Sequence, residues 1–146
     1  MHPDISSKTG SIHTVDLVIR PRQGRGGIVL PWDYYQAAMH IMESRLGHPV
    51  YFVFSDDWDW ARGHFRSAHQ AVFVEGNSQT NCHEDLRLMS LCRHHIIANS
   101  SFSWWAAWLS EQPDNIVIAP KYWMVRPDTY YPELFPKTWN AIPIAA

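Results

Sequence analysis

Short apolar runs recur along the chain, and the stretches between them repeat their apolar positions with a helical period. Val15–Ile19 (VDLVI), Tyr51–Phe54 (YFVF), Ala71–Val74, His95–Ala98 and Asn115–Ala119 (NIVIA) have the length and β-branched or aromatic content of buried strands. Between them, Pro31–Arg45 reads as a helix. Pro31 suits its start, Tyr34, Ala37, Ala38, Ile41 and Met42 form a stripe, and Gly47 suits its end. Trp58–Phe65, Cys82–Cys92 and Ser103–Gln112 read as further helices. Residues 1–14 are polar and are expected to be flexible, so one domain is expected over residues 15–146. NIVIA is expected to be the last strand, with an irregular proline- and aromatic-rich tail from Pro120 onward. Strands alternating with helices imply βαβ units. The fold class is therefore α/β: a Rossmann-like parallel sheet with flanking helices, covered on both faces.

Composition narrows the partners. The 146 residues are 46% apolar and carry a net charge of −2, which gives no basic field for nucleic acid. No apolar run approaches the ~18–20 residues of a membrane span. Met1-His2-Pro3-Asp4 does not begin a signal-peptide pattern, which leads to the expectation of a cytoplasmic protein. Cys82 and Cys92 match no zinc spacing and read as free thiols. Eight tryptophans are many for this length, enough that some can serve an exposed or partner-covered surface.

The candidate chemistry concentrates in Asp85–Trp108, and above all in the turn Asn99-Ser100-Ser101-Phe102-Ser103. Hydroxyls stand there where a strand gives way to a helix. That is where an open α/β sheet binds anions, because free backbone N–H groups and the helix dipole both favour negative charge. The plainer alternative is that Ser101 or Ser103 caps the following helix. Asp56 and Asp57 end the second strand at the same kind of edge. As strand neighbours they face opposite ways, so a metal pair is the weakest reading and a strand-end turn the plain one. His94 and His95 precede the buried strand; His95 reads as a core or strand-edge histidine, and the remaining, scattered histidines as surface. Trp104 and Trp108 share a helix face, so core packing is the default and sugar stacking the minority reading. Arg20–Gly27 (RPRQGRGG) lacks the Lys-Ser/Thr ending of a phosphate-binding P-loop.

HHIIANSSFSWWAAWL resembles the most characteristic segment of glycosyltransferase family 11, the α-1,2-fucosyltransferases. Leu30–Ala38 (LPWDYYQAA), Phe52–Trp58 (FVFSDDW), Asn81–Leu86 (NCHEDL), Ile118–Trp123 (IAPKYW) and Tyr131-Pro132 before Trp139 resemble other family segments, in order, over roughly residues 28–140. The resemblance implies the C-terminal, GDP-fucose-binding half of a GT-B glycosyltransferase. The acceptor-side domain has no counterpart here.

It implies an inverting transfer of fucose from GDP-fucose to the 2-hydroxyl of a galactoside, with no metal and no other cofactor. The implied partners are GDP-fucose and a galactoside acceptor, together with a missing N-terminal half or membrane-associated glycan assembly machinery. It places phosphate contacts on Ser100 and Ser101 and guanine on Asp85, with Asn99, Ser103 and Asp56 completing the donor site. For Asp85 the plain alternative is a first-turn acid favoured by the helix dipole, or a capping pair with Glu84. The family's first motif, a strand ending in His-x-Arg-Arg-x-Asp, is matched at Ser11–Leu17, where His13 and Asp16 stand as remnants without the arginines. Arg20, Arg22 or Arg25 are the candidate substitutes. The alternatives to a catalytic fucosyltransferase are an inactive GDP-sugar-binding fragment or half of a split enzyme, and a fold-only relative that binds another anionic or carbohydrate ligand.

Overall fold

The strand order of the sheet is β3-β2-β1-β4-β5-β6, with every pairing parallel, in a computed structural model that describes residues 13–19, 30–65, 70–75, 82–110, 112–121 and 132–143. The elements are β1 (Thr14–Ile19), α1 (Trp32–Leu46), β2 (Val50–Ser55), α2 (Trp58–His64), β3 (Gln70–Phe73), α3 (Cys82–Leu91), β4 (His94–Ile96), α4 (Ser101–Leu109), β5 (Val117–Pro120), a 3₁₀ turn (Pro132–Leu134) and β6 (Asn140–Ile142). The order runs outward from β1 in one direction and from β4 in the other. The seam between β1 and β4 is thus the topological switch point, outside whose carboxyl edge doubly wound sheets bind ligands.

β1 is the centre, and all six of its residues are buried. Its register against β2, from Thr14↔Val50 to Ile19↔Ser55, puts Ile19 and Ser55 together at the carboxyl edge. α1 begins after Pro31, whose extended backbone (φ −71°) suits a helix entry, and ends at Gly47. Gly47 has φ 84°, a left-handed value that glycine adopts freely, and its N–H closes the helix on the Glu43 carbonyl at 2.9 Å. The buried face of α1 is Tyr34, Tyr35, Ala38, Met39 and Met42. It is rotated from the expected stripe, for Ala37 is exposed and Ile41 only half-buried.

The tail differs more. Asn140–Ile142 forms β6, parallel to β5 with Ile118↔Asn140, Ala119↔Ala141 and Pro120↔Ile142 in register, so NIVIA is not the last strand. A three-residue, half-buried edge strand followed by Pro143 carries almost no periodic signal. Thr14, expected in the flexible segment, is a buried strand residue, and residues 1–12 lie outside the described residues. A small second cluster (Ile97, Ala107, Val117, Ala119 and Phe135, with Trp104 and Trp139 against it) packs β6 and the tail onto α4.

Candidate functional site

The carboxyl edge at the switch point is built from the end of β2, the segment after β4 and the first turns of α3 and α4. Ile97 and Ala98 leave β4 fully buried and deliver the chain to Asn99 and Ser100, 6% and 8% exposed. Ser100 is extended (φ −136°, ψ 140°) and caps α4: its Oγ accepts from the Ser103 N–H at 3.2 Å. The helix therefore starts at Ser101, two residues before the expected Ser103, because the cap is Ser100.

The serine hydroxyls part company here. Ser103 is fully buried, and its hydroxyl lies 3.1 Å from the carbonyls of Ala98 and Ser100 and 2.8 Å from Ser100 Oγ. Its single proton stays within the turn. Ser103, expected among the donor-binding residues, braces the cap from inside the turn. Ser101 is exposed and stands at the first helical position, beside first-turn N–H groups that have no partner within a helix. The anion-binding potential of the turn therefore resides in Ser101 and the backbone around it, with Ser100 holding the shape.

Asp85 lies in the first turn of α3, half-buried, and α3 packs along α4. Two parallel crossovers bring both helix N-termini, and so Asp85 and Ser101, to the same edge of the sheet. Glu84 turns to Arg87 (3.0 Å) and His83 (3.6 Å). Asp57 caps α2, its Oδ1 accepting from the Trp60 N–H at 3.1 Å, while Ser55 Oγ accepts from the Asp57 N–H at 3.0 Å. The acidic pair is thus divided: Asp57 is structural and Asp56 is the exposed member at the edge.

The first-motif remnants fall elsewhere. His13 stands at the amino edge of the sheet, its Nδ1 3.3 Å from Nε2 of His94. Asp16 is in the middle of β1, completely buried and hydrogen-bonded to His95 Nδ1. Neither reaches the carboxyl edge, because a strand rises roughly 3.3 Å per residue and His13 lies six residues before the end of β1. A motif that ends a strand must sit where β1 ends, at Ile19, followed in sequence by Arg20-Pro21-Arg22. Arg20, Arg22 and Arg25 lie outside the described residues.

The histidines and tryptophans also need revision. His94, at the start of β4, is 3% exposed. Its Nδ1 accepts from the Ile116 N–H at 3.0 Å, and burial, with His13 and Arg93 nearby, pushes its pKa down to about 4. His64 is half-buried between the rings of Trp32 and Trp60, and its Nδ1–H donates to the Trp60 carbonyl at 2.8 Å. Trp104 packs on the second cluster and donates from Nε1 to the Leu134 carbonyl at 2.9 Å, but Trp108, stacked on it at 5.4 Å, is 53% exposed and is not core. Sequence reasoning did not foresee the Asp16–His95 contact. The available signal was a carboxylate inside the apolar run VDLVI, which needs a buried partner.

The chain is similar in sequence to known glycosyltransferases. A family model described as Glycosyl transferase family 11 matches residues 10–143. The O-antigen biosynthesis glycosyltransferase WbnK of Escherichia coli is 38% identical over 120 residues, which is 81% of this chain and 40% of that protein. An alpha-1,2-colitosyltransferase of Escherichia coli is 39% identical over 113 residues, covering 75% of this chain and 38% of the relative. The galactoside 2-alpha-L-fucosyltransferase SEC1 of Bos taurus is 31% identical over 85 residues, 58% of this chain and 23% of the relative. The chain thus spans about two fifths of the length of the bacterial relatives. No solved structure matches it.

Proposed function

The chain belongs to glycosyl transferase family 11, and from that premise we propose that it forms the donor-binding part of an inverting α-1,2-fucosyltransferase. The donor is GDP-fucose and the acceptor the 2-hydroxyl of a galactoside. The single observation that supports this most is the exposed Ser101 at the start of α4, on the carboxyl edge of the switch point. The diphosphate of the donor sits there, held by the Ser101 hydroxyl and the first-turn N–H groups of α4. Asp85, at the neighbouring helix start, accepts the N1–H and exocyclic amine of guanine through its two carboxylate oxygens. Asn99, which enters the turn, and Asp56, exposed at the end of β2, complete the donor side.

In the transfer, the acceptor oxygen attacks the anomeric carbon on the face opposite the phosphate. The bond from that carbon to the phosphate oxygen breaks, the diphosphate takes the electron pair, and the acceptor hydroxyl proton is released. Charge therefore develops on the leaving group, where pre-placed donors are worth most. Ser101 and the helix N-terminus serve that charge without a metal, and the arginine nearest the end of β1 in sequence, Arg20, is assigned to the same diphosphate.

The 39% identity to a colitosyltransferase supports a second reading of the sugar: the same site with a colitosyl donor. The role of the other bacterial relative, O-antigen biosynthesis, supports a place for this chain in glycan assembly, and we place it in the cytoplasm beside the membrane where glycans are assembled. No helix among the described residues is long and apolar enough to cross a membrane. Calorimetric titration with GDP, followed by a GDP-fucose consumption assay with a galactoside, tests the proposal. Saturable GDP binding with turnover supports the full reading. Binding without turnover supports a donor-binding unit that needs the rest of a family member's chain. A folded sample that ignores millimolar GDP would eliminate the nucleotide site.

A further inference from the structure

In a parallel ladder, the residue that donates its N–H to one residue of the neighbouring strand accepts through its carbonyl from the residue two positions further along. Between β4 and β5 the donated bonds are His95 N–H to the Ile116 carbonyl and Ile97 N–H to the Ile118 carbonyl, both 2.9 Å. By the same rule the Ile97 carbonyl should accept from residue 120. That residue is Pro120, which ends β5 and has no N–H. A fully buried carbonyl is thereby left without its ladder donor, which is destabilising unless another donor replaces it.

Tyr34 fills that gap. It is fully buried on α1, and its hydroxyl donates to the Ile97 carbonyl at 2.6 Å, with the Ile118 carbonyl 3.4 Å away. The next carbonyl along the chain, that of Ala98, lies 3.1 Å from the Ser103 hydroxyl. Two successive peptide planes leading into the turn are thus fixed from outside the strand, one by α1 and one by α4. Burial keeps the phenol protonated, so it stays a donor across ordinary pH.

We infer that Tyr34 is a positioning residue for the Asn99–Ser101 turn: its hydroxyl replaces the N–H that Pro120 lacks and sets the angle at which Ser101 meets the donor's diphosphate. The inference rests on the nucleotide reading of that turn. It also explains why β4 ends at Ile96, short of the expected Ala98. At residue 97 the partner strand stops donating, so the backbone is free to turn outward and is held there by a side chain.

The test compares the full 146-residue chain with Tyr34→Phe, Pro120→Ala and the double variant, using GDP titration and amide hydrogen exchange at residues 99–104. Tyr34→Phe is expected to weaken GDP binding about tenfold and to speed exchange in the turn. Pro120→Ala returns an N–H at the vacant rung, so the double variant is expected to recover both. Unchanged GDP affinity in Tyr34→Phe overturns the inference. So does a loss of affinity that the double variant does not recover. Should Tyr34→Phe fail to fold, the double variant decides alone: parental GDP affinity supports the inference, and a double variant that is unfolded or folded but non-binding overturns it. Failure of the parent chain to bind GDP sinks the nucleotide reading instead. The exchange data then decide separately whether Tyr34 holds the turn.

Discussion

Asp16 and His95 hydrogen-bond to each other directly across the β1–β4 seam, in register and both at 0% exposure. The second oxygen of Asp16 and Nε2 of His95 have no hydrogen-bond partner among the described residues. Burial raises the Asp16 pKa, and the attraction of His95 only partly offsets that. The pair thus joins the two halves of the doubly wound sheet where they meet, at a desolvation cost. Removing one partner should be far worse than removing both. Asp16→Ala or His95→Ala is expected to lower unfolding free energy by about 3–5 kcal/mol, because a buried polar group is left alone. Asp16→Val with His95→Val should lose much less than the sum of the singles. Urea titrations of all variants check this, and additive losses would refute a coupled pair.

His94 should make the protein acid-sensitive. Its Nδ1 accepts a hydrogen bond from the Ile116 N–H, which requires the neutral ring. Its folded pKa is about 4 against an ordinary 6.5, mainly through burial, with His13, Arg93 and His95 adding repulsion. The folded state therefore binds the proton less readily than the unfolded one. The resulting stability is present above pH 6.5 and is lost as the pH falls towards 4. Asp16, with its raised pKa, has the opposite sign: its contribution is present below its ordinary value of 3.8 and lost as pH rises through the folded value. Melting curves at a series of pH values should show the acid-side loss in the parent and a flatter profile in His94→Asn.

The serines of the turn should separate stability from binding. Ser100→Ala removes the α4 cap and should lower stability by about 1 kcal/mol. Ser101→Ala removes an exposed hydroxyl outside the cap, so stability should change by less than about 0.5 kcal/mol. GDP affinity should still fall about tenfold, a charge-assisted hydrogen bond having been lost. Adding Asp85→Ala should abolish measurable GDP binding while the circular dichroism spectrum stays that of the parent. If Ser101→Ala with Asp85→Ala binds GDP as the parent does, the proposed clamp is wrong.

Local pattern made most of the sheet legible. VDLVI, YFVF and NIVIA announce strands because they are short, apolar and bounded by turn residues. The serine turn announces itself because helix starts have a narrow chemistry. What the sequence left unresolved depends on contacts between distant residues. Nothing near Tyr34 says that it will meet Ile97, and nothing near Asp16 names His95. The division of labour among Ser100, Ser101 and Ser103 turns on a two-residue difference in where α4 begins, the kind of boundary periodicity fixes least well. β6 was hidden because its three residues lean on β5 and the second cluster rather than on any pattern of their own.

The end of β1 supplies the last prediction. His13 belongs to the amino edge beside His94, and Asp16 to the interior, so neither is placed to touch a donor at the opposite edge. The strand instead runs out at Ile19, and the next residue in the chain is Arg20. A guanidinium that follows directly from the strand end at the switch point suits the charge that builds on a departing diphosphate. In a preparation that transfers fucose, Arg20→Ala is therefore expected to lower kcat by about 10²–10³. Arg20→Lys should recover only part of the loss, since an ammonium lacks the two-pronged geometry. His13→Ala should leave kcat within about twofold, because a change remote from the site loses no transition-state contact. Steady-state kinetics with GDP-fucose decides between the two ends of the strand: a large kcat loss in His13→Ala with none in Arg20→Ala would return the motif to the amino edge.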